Sequence, residues 1–350
     1  MFKTSDFNFE LPNELVAQKP FTPRYLTPML VYQQGKIIDS KIDNLLEFLN
    51  KGDVLIFNNV KVIKAKLKAK NLSNQALINI NLDQQLSSED SNKIRWLALC
   101  KPAKKLKEGD FISFSPPPNN EFIGLIVKKY DDGFIEIEFS LSQDKFLELL
   151  NIYGEMPLPP YIKNNEDAEL NYQTSYANSG LGVAAPTAGL HFTKEIMERI
   201  VNYGIKVVFI TLNVGAGTFL PVRAENIIDH KMHQESFTID EESAKIINQA
   251  KAEKKRIIAV GTTSLRAVES ACNQEGFLSS ISGTTKIFIY PGYQFKIIDG
   301  LFTNFHLPKS TLFMLVSALI GKDQAHNLYQ YAIAKKYRFY SFGDCSLLFK

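Results

Sequence analysis

Three of the five histidines, His191, His233 and His306, stand in short polar loops rich in small residues and hydroxyls. An imidazole titrates nearer neutral pH than any other unperturbed side chain, so each is a candidate for moving a proton. His191 belongs to Ala184-Ala185-Pro186-Thr187-Ala188-Gly189-Leu190-His191-Phe192-Thr193, directly before a helix-forming stretch. Small residues such as Gly189 let a ligand approach the backbone, and the free N–H groups of the next helix attract an anion. An ordinary connecting loop, with Thr193 as cap and His191 packed inside, fits the same spacing equally well.

Further runs carry chemistry-bearing groups. Asn213 to Arg223 contains Gly215 and Gly217 after a strand-like stretch. It is not a dinucleotide fingerprint: the third glycine is absent, and Phe219 to Val222 reads as extended chain where a helix is needed. A turn against which a ligand lies is expected, with Arg223 pairing a carboxylate or phosphate, or serving as a surface ion pair. His230-Lys231-Met232-His233-Gln234-Glu235 lacks the HExxH spacing, so no metal is expected there. Gly261-Thr262-Thr263-Ser264-Leu265-Arg266 places three hydroxyls at a helix start, more than the single N-cap that Thr263 or Ser264 would supply. Tyr290, Tyr293, Asn304, His306 and Lys309 combine aromatic, amide, imidazole and ammonium groups, a mixture suited to a heterocycle with a charged tail. Lys64, Lys66, Lys68 and Lys70 alternate with Ala65, Leu67 and Ala69, which puts four ammonium groups on one strand face. That face is either solvated or a track for a phosphate backbone.

These loops need a scaffold. The alternating runs Ile63 to Lys70, Ala76 to Leu82, Ile94 to Cys100, Phe111 to Ser115, Phe122 to Lys129 and Phe134 to Phe139 predict a small barrel, with Asp132-Gly133 as a hairpin turn. Asp83 to Asn92 reads as a flexible loop. Elsewhere strands alternate with helices. Strands are expected at Met29 to Tyr32, Val54 to Asn58, Lys206 to Leu212, Arg256 to Val260 and Ile287 to Tyr290. Helices are expected at Ile42 to Asn50, Phe146 to Tyr153, Lys194 to Tyr203, Asp240 to Glu253, Leu265 to Cys272, Pro308 to Ile320 and Ala325 to Ala334. The fold class is therefore an α/β main domain (1–60 and 151–350) with an inserted small all-β, barrel-like domain (61–150).

Composition sets bounds. With 350 residues and 45% hydrophobic content the chain is globular and larger than a single small core. A formal charge of +3 makes any polyanion site a local patch. Cys100, Cys272 and Cys345 form no CxxC pair, so reduced thiols in a cytoplasm are expected. The first ten residues do not read as a signal peptide, and the apolar run Thr311 to Ile320 is about half of the roughly 20 residues that span a bilayer.

Together the segments resemble the S-adenosylmethionine:tRNA ribosyltransferase-isomerase family of queuosine biosynthesis. The resemblance is carried by Gly154 to Ile162, Tyr172 to Ala177, Val183 to Thr193, Val214 to Arg223, His230 to Glu235, Gly261 to Ser270, Ile287 to Tyr293, Thr303 to Leu312 and Tyr337 to Asp344, with Asp6 to Gln18 like the family's start. It implies transfer of the ribosyl part of S-adenosylmethionine to 7-aminomethyl-7-deazaguanine at the tRNA wobble position. Epoxyqueuosine would form, with adenine and methionine released. It implies an α/β domain interrupted by a β-barrel, no metal and no cofactor beyond S-adenosylmethionine as co-substrate. A cytoplasmic monomer with tRNA as partner and no membrane contact is expected. Within the matched motifs, His191, His233 and His306 are the proton-transfer candidates. Thr187, Gly189, Gly215, Gly217, Asn304, Thr262, Thr263 and Ser264 would line the substrate; Arg223, Arg266 and Lys309 would hold carboxylate or phosphate; Tyr290 and Tyr293 would stack on a base. The chain departs from the family pattern at Tyr25, Thr27-Pro28, Asn59-Val60-Lys61 and Asn213. A methyltransferase and a non-catalytic RNA-binding protein are the competing classes.

Overall fold

The computed structural model describes residues 2–350 except 89, 91, 117, 132, 163–165, 216–221 and 223. In chain order the strands are β1 (Pro28–Gln33), β2 (Lys36–Lys41), β3 (Val54–Asn58), β4 (Val60–Val62), β5 (Lys66–Asn71), β6 (Leu77–Leu86), β7 (Ile94–Lys101), β8 (Phe111–Ser113), β9 (Ile123–Lys129) and β10 (Phe134–Phe139). They continue with β11 (Ser179–Gly182), β12 (Lys206–Leu212), β13 (Glu235–Ile239), β14 (Ile257–Val260), β15 (Ile281–Thr285), β16 (Gly300–Asn304) and β17 (Cys345–Phe349). The α-helices are α1 (Gln143–Tyr153), α2 (Glu166–Asn171), α3 (Lys194–Tyr203), α4 (Glu241–Ala252), α5 (Thr262–Ala271), α6 (Thr311–Ile320) and α7 (Lys322–Ala334).

Strands β5 to β10 close into an all-antiparallel barrel in the order β10-β7-β6-β5-β8-β9. Alternation dictates this: Leu67, Ala69, Ile78, Ile80, Trp96, Ala98, Ile126, Ile135 and Ile137 all point inward and are buried. Helix α1, capped by the Ser142 hydroxyl, lays Phe146, Leu149 and Leu150 on the same core.

The remaining strands build a nine-stranded mixed sheet in the order β15-β13-β12-β3-β14-β16-β17-β1-β2, with β12, β3, β14 and β16 mutually parallel. Its central strands β3 and β14 are buried at every position because both faces are covered. On one face Ile56, Ile210 and Ala259 meet residues of α4, α5, α6 and α7. On the other, Leu55, Phe57 and Ile258 meet Ile196 and Ile200 of α3. Helix α3 starts where Thr193 accepts the Ile196 N–H and stops at Gly204 with φ 100°. Helix α4 is capped by Asp240, as its sequence predicts. Because four parallel strands run the same way, their carboxyl ends come out together, where open α/β sheets bind ligands.

Several expectations needed correction. The helix at Ile42 to Asn50 is a 3-10 segment, Ile42–Phe48. Ile287 to Tyr290 is irregular; the strand is β15, and the Ile287 carbonyl accepts from the Arg266 side chain instead of joining a ladder. The helix expected from Pro308 begins at Thr311, since Lys309 adopts φ 59° and Ser310 is the cap. Helix α5 starts three residues earlier than expected, at Thr262, with Gly261 rather than a hydroxyl residue in the cap position. Asp83 to Leu86, expected as loop, extend β6. The hairpin residue Asp132 lies outside the described residues.

Candidate active site

At the carboxyl ends of β14 and β16 an open cleft of about 950 Å³, mouth included, is walled by Ala184 to Ala188, Val214, Gly261 to Thr263 and Thr303 to Leu307. Thr187, Thr262, Thr263, Asn304 and His306 all line it, so three runs far apart in sequence meet in one place. Gly261 adopts φ 89°, which turns the chain so that α5 points its N-terminus at the cleft.

The polar groups behind this wall are unevenly satisfied. His306 takes a 3.0 Å hydrogen bond between Nε2 and the Thr303 hydroxyl, and its backbone N–H donates to Tyr329 Oη at 3.1 Å. His191 is 1% exposed, yet among the described residues neither ring nitrogen has a well-aligned partner; the Thr263 hydroxyl and Asn304 Oδ1 are likewise buried without one there. Asn304 is fixed from its other end, where Nδ2 donates to the Tyr340 carbonyl at 2.9 Å. Burial pushes His306 down to about 3. Burial, then the positive charges of Arg24 and Arg338, push His191 down to about 3 as well, against a smaller upward pull from the Asn304 amide. Both imidazoles are therefore neutral at pH 7, and titration near the working pH does not hold as the ground for giving these two a proton-transfer role.

Other candidates are placed differently. Ser264 is wholly buried and its hydroxyl donates to the carbonyl of Val260, the last residue of β14, at 2.8 Å, so it is held by the protein's own backbone. Arg266 forms a buried ion pair with Glu235, whose other oxygen accepts the Gly215 N–H at 3.3 Å. Tyr293 donates to Glu269 at 3.0 Å, and the same carboxylate takes the N–H groups of Lys296, Ile297 and Ile298. Tyr290 packs its ring 5.1 Å from Phe288. Neither tyrosine borders the cleft. Gly189 sits under it, packed so tightly that an added Cβ would lie 2.0 Å from Tyr176 Oη. Lys309 is exposed beside the cleft residues Leu307 and Ser310, its N–H held by the Phe7 carbonyl at 2.8 Å. Gly217 and Arg223 lie outside the described residues.

His233 belongs to a second, polar recess lined by Asp83 to Ser87 of the barrel side and by Gly180, Asn213, Gly215 and Ser236 of the sheet side. Val214 borders the first cleft and Gly215 this one, so adjacent residues separate the two. On the barrel, Lys66 and Lys68 are exposed but both pair with Glu155, at 3.0 and 2.8 Å, and Lys64 Nζ donates to the Asn151 carbonyl at 3.1 Å. Lys70 is half-buried at the far end of the same strand. The four lysines thus do not present one uniform cationic face. Sequence reasoning missed Tyr161, Tyr340 and Ser341, which complete the cleft wall. The signal was there, since all three fall within the matching runs at Gly154 to Ile162 and Tyr337 to Asp344. Among the described residues no cluster of three or more metal-ligating side chains occurs.

A parallel-cored sheet interrupted by a closed barrel, with a cleft walled by loops at the carboxyl ends of the strands, defines an α/β protein built to bind a small molecule. A family model described as "Queuosine biosynthesis protein" matches residues 4–348. The chain is 48% identical over 361 residues to the S-adenosylmethionine:tRNA ribosyltransferase-isomerase of Rickettsia bellii (strain OSU 85-389), covering 99% of each chain. It is 45% identical over 348 residues to the protein of that name from Clostridioides difficile (strain 630), again covering 99% of each. The crystal structure of S-adenosylmethionine tRNA ribosyltransferase from Thermotoga maritima matches with a TM-score of 0.55 and 29% identity, over 98% of this chain and 100% of that one. The chain belongs to the queuosine biosynthesis protein family, whose relatives named here are S-adenosylmethionine:tRNA ribosyltransferase-isomerases.

Proposed function

We propose that the protein moves the ribosyl part of S-adenosylmethionine onto 7-aminomethyl-7-deazaguanine at the tRNA wobble position, giving epoxyqueuosine and releasing adenine and methionine. The observation that carries this reading is the convergence of Ala184 to Ala188, Gly261 to Thr263 and Thr303 to Leu307 on one cleft. The reaction needs a base to take a proton from the ribosyl carbon beside the sulfonium and an acid to give one to the departing adenine. His191 and His306, neutral and buried, serve as hydrogen-bonding groups, and His233, in the adjoining recess, is the remaining histidine candidate for proton transfer. Thr262 and Thr263, backed by the α5 N-terminus, hold polar substrate atoms.

In this reading the α/β domain (1–60 and 151–350) carries the chemistry and the inserted domain (61–150) meets the RNA. The protein works as a cytoplasmic monomer with no metal or further cofactor. Among the described residues no helix is long and apolar enough to cross a membrane.

The test is to incubate pure protein with S-adenosylmethionine and tRNA carrying 7-aminomethyl-7-deazaguanine. Adenine and methionine should be released while the tRNA gains the ribosyl-derived mass. S-adenosylhomocysteine in their place would make the protein a methyltransferase. Bound tRNA with no released product would make it a binding protein.

A further inference from the structure

An α-helix leaves its first N–H groups without a partner inside the helix, so something outside must take them. In this chain most are served. Side-chain oxygens of Ser142, Thr193, Asp240 and Ser310 cap α1, α3, α4 and α6. Helix α7 starts on Gly321, which has no side chain to cap with, but Asp323 and Gln324 in its first turn are exposed and water can reach them. Helix α5 differs. It also starts on a glycine, Gly261, yet Thr262, Thr263 and Ser264 are 8%, 9% and 0% exposed. Among the described residues none of their three N–H groups has an acceptor, and the Thr263 hydroxyl has no partner either. Buried donors left unpaired cost the desolvation of each group, and a buried helix end without a cap is completed by a ligand.

This helix end belongs to the cleft, because Gly261, Thr262 and Thr263 all border it. The aligned peptide dipoles give it about half a positive charge, which suits an anionic oxygen. Among the described residues no lysine or arginine borders the cleft, so the start of α5 is the positive element of the wall. An acceptor stands beside it. Strands β14 and β16 pair through Val260 and Phe302, and the Gly261 N–H donates to the Phe302 carbonyl at 2.8 Å. Asn304, two residues on, therefore leaves the sheet next to the start of α5. It borders the cleft, is 2% exposed, and its Oδ1 has no partner among the described residues, while Nδ2 is anchored on the Tyr340 carbonyl. Donors and an acceptor side by side match an anion and a cation carried on one carbon, as in an α-amino acid. An RNA phosphodiester has no such cation, and its chain runs on at both ends, which a buried helix end does not admit.

We propose that the α-carboxylate of S-adenosylmethionine is the missing cap of α5, held by the N–H groups of Thr262, Thr263 and Ser264 and by the Thr263 hydroxyl. This rests on S-adenosylmethionine being the ligand, but not on turnover. Asn304 Oδ1 is then left for the neighbouring ammonium, and the apolar wall of Ala184, Ala185, Val214 and Phe305 for the rest of the molecule. The glycine in the cap position acquires a reason: a serine or aspartate there would cap the helix itself and compete with the ligand.

Titration calorimetry tests this separately from activity. Wild-type protein is titrated with S-adenosylmethionine and with its decarboxylated analogue, which lacks only the carboxylate. The wild type should prefer the carboxylated ligand by roughly 10- to 100-fold, the range for lost charge-assisted hydrogen bonds. Equal affinity for both ligands overturns the proposal without any variant. A backbone variant then locates the contact. Thr262 is the first residue of α5, where proline is tolerated, and Gly261 at ψ 150° suits a following proline. Thr262→Pro deletes one of the three N–H groups, and Thr262→Ala, which also loses the hydroxyl, keeps it. The proline protein should bind S-adenosylmethionine about 10-fold more weakly than the alanine protein, with the analogue bound equally by both. Equal binding of S-adenosylmethionine by the two proteins, both melting cooperatively, overturns the proposal. So does weakened tRNA binding with S-adenosylmethionine unaffected, which would assign the helix end to a phosphate. Wild-type protein that binds no S-adenosylmethionine removes both this assignment and the proposed reaction. Binding with the expected preference but no adenine release keeps the carboxylate site and removes the reaction alone.

Discussion

Arg266 on α5 and Glu235 on β13 form an ion pair shut away from water, and through Glu235 the pair also holds the Gly215 N–H. One contact thus links a helix that starts at the cleft to the glycine turn beside it. Removing one partner strands the other charge, so Arg266→Met or Glu235→Leu alone should lower stability by about 3–5 kcal/mol. The double variant should lose clearly less than the sum. Denaturant melts of the four proteins give the coupling; strict additivity would mean that the pair carries no linkage.

Acid should unfold the protein in part through two histidines. His191 and His306 are both held near about 3 by burial, below the unfolded value of about 6.5. The unfolded chain therefore binds protons that the folded chain refuses. Stability is fully present above about pH 6.5 and falls as pH drops towards 3, by up to about 1.4 kcal/mol per pH unit per histidine. A His306→Asn protein should show a shallower decline between about pH 6 and 4. An unchanged slope would mean that the ring is charged in the folded state.

The unpartnered Thr263 hydroxyl separates binding from folding. Thr263→Val removes a buried hydroxyl that has no hydrogen-bond partner among the described residues, so stability should hold or rise by up to about 1 kcal/mol. Affinity for S-adenosylmethionine should fall in the same protein. Thermal melts and ligand titration together check this, and unaltered affinity would assign Thr263 to packing alone.

Gly189 should tolerate no side chain. An alanine Cβ there meets Tyr176 Oη at 2.0 Å, and Tyr176 is itself wedged 5.2 Å from Phe57. Gly189→Ala should cost about 1–3 kcal/mol through displaced aromatic packing. A variant as stable as the wild type would show that the loop can slide.

Glu155 masks two of the barrel lysines. If tRNA runs along that strand, Glu155→Gln should free Lys66 and Lys68 for phosphates. Binding should tighten, and the logarithmic salt dependence should steepen by about 1–2. Filter binding across a salt series reads both, and an unchanged slope places the RNA elsewhere.

Much of the scaffold was legible because its signals are local. Alternation along Leu67-Lys68-Ala69 and Ile135-Glu136-Ile137 gave the barrel, and Thr193 and Asp240 marked helix starts. What escaped depends on distant partners. β17 and β16 are short segments mixing polar and apolar residues, and their strand state comes from pairing with each other, as Leu301 does with Leu348. The site was legible as motifs but not as roles. Arg266 and Tyr293 had the right chemistry for ligands, and only their burial beside Glu235 and Glu269 shows them occupied.

The ordering of the large sheet bears on how the chain folds as it is made. β17 lies between β16 and β1, pairing parallel with Met29 to Tyr32, more than 300 residues away along the chain. The barrel, by contrast, draws all its strands from 66–139. A ribosome would therefore release a finished barrel long before the sheet can receive its inner strand. Until residue 349 emerges, β1 and β16 each present an unpaired edge, which makes the half-made sheet the stage most exposed to mispairing.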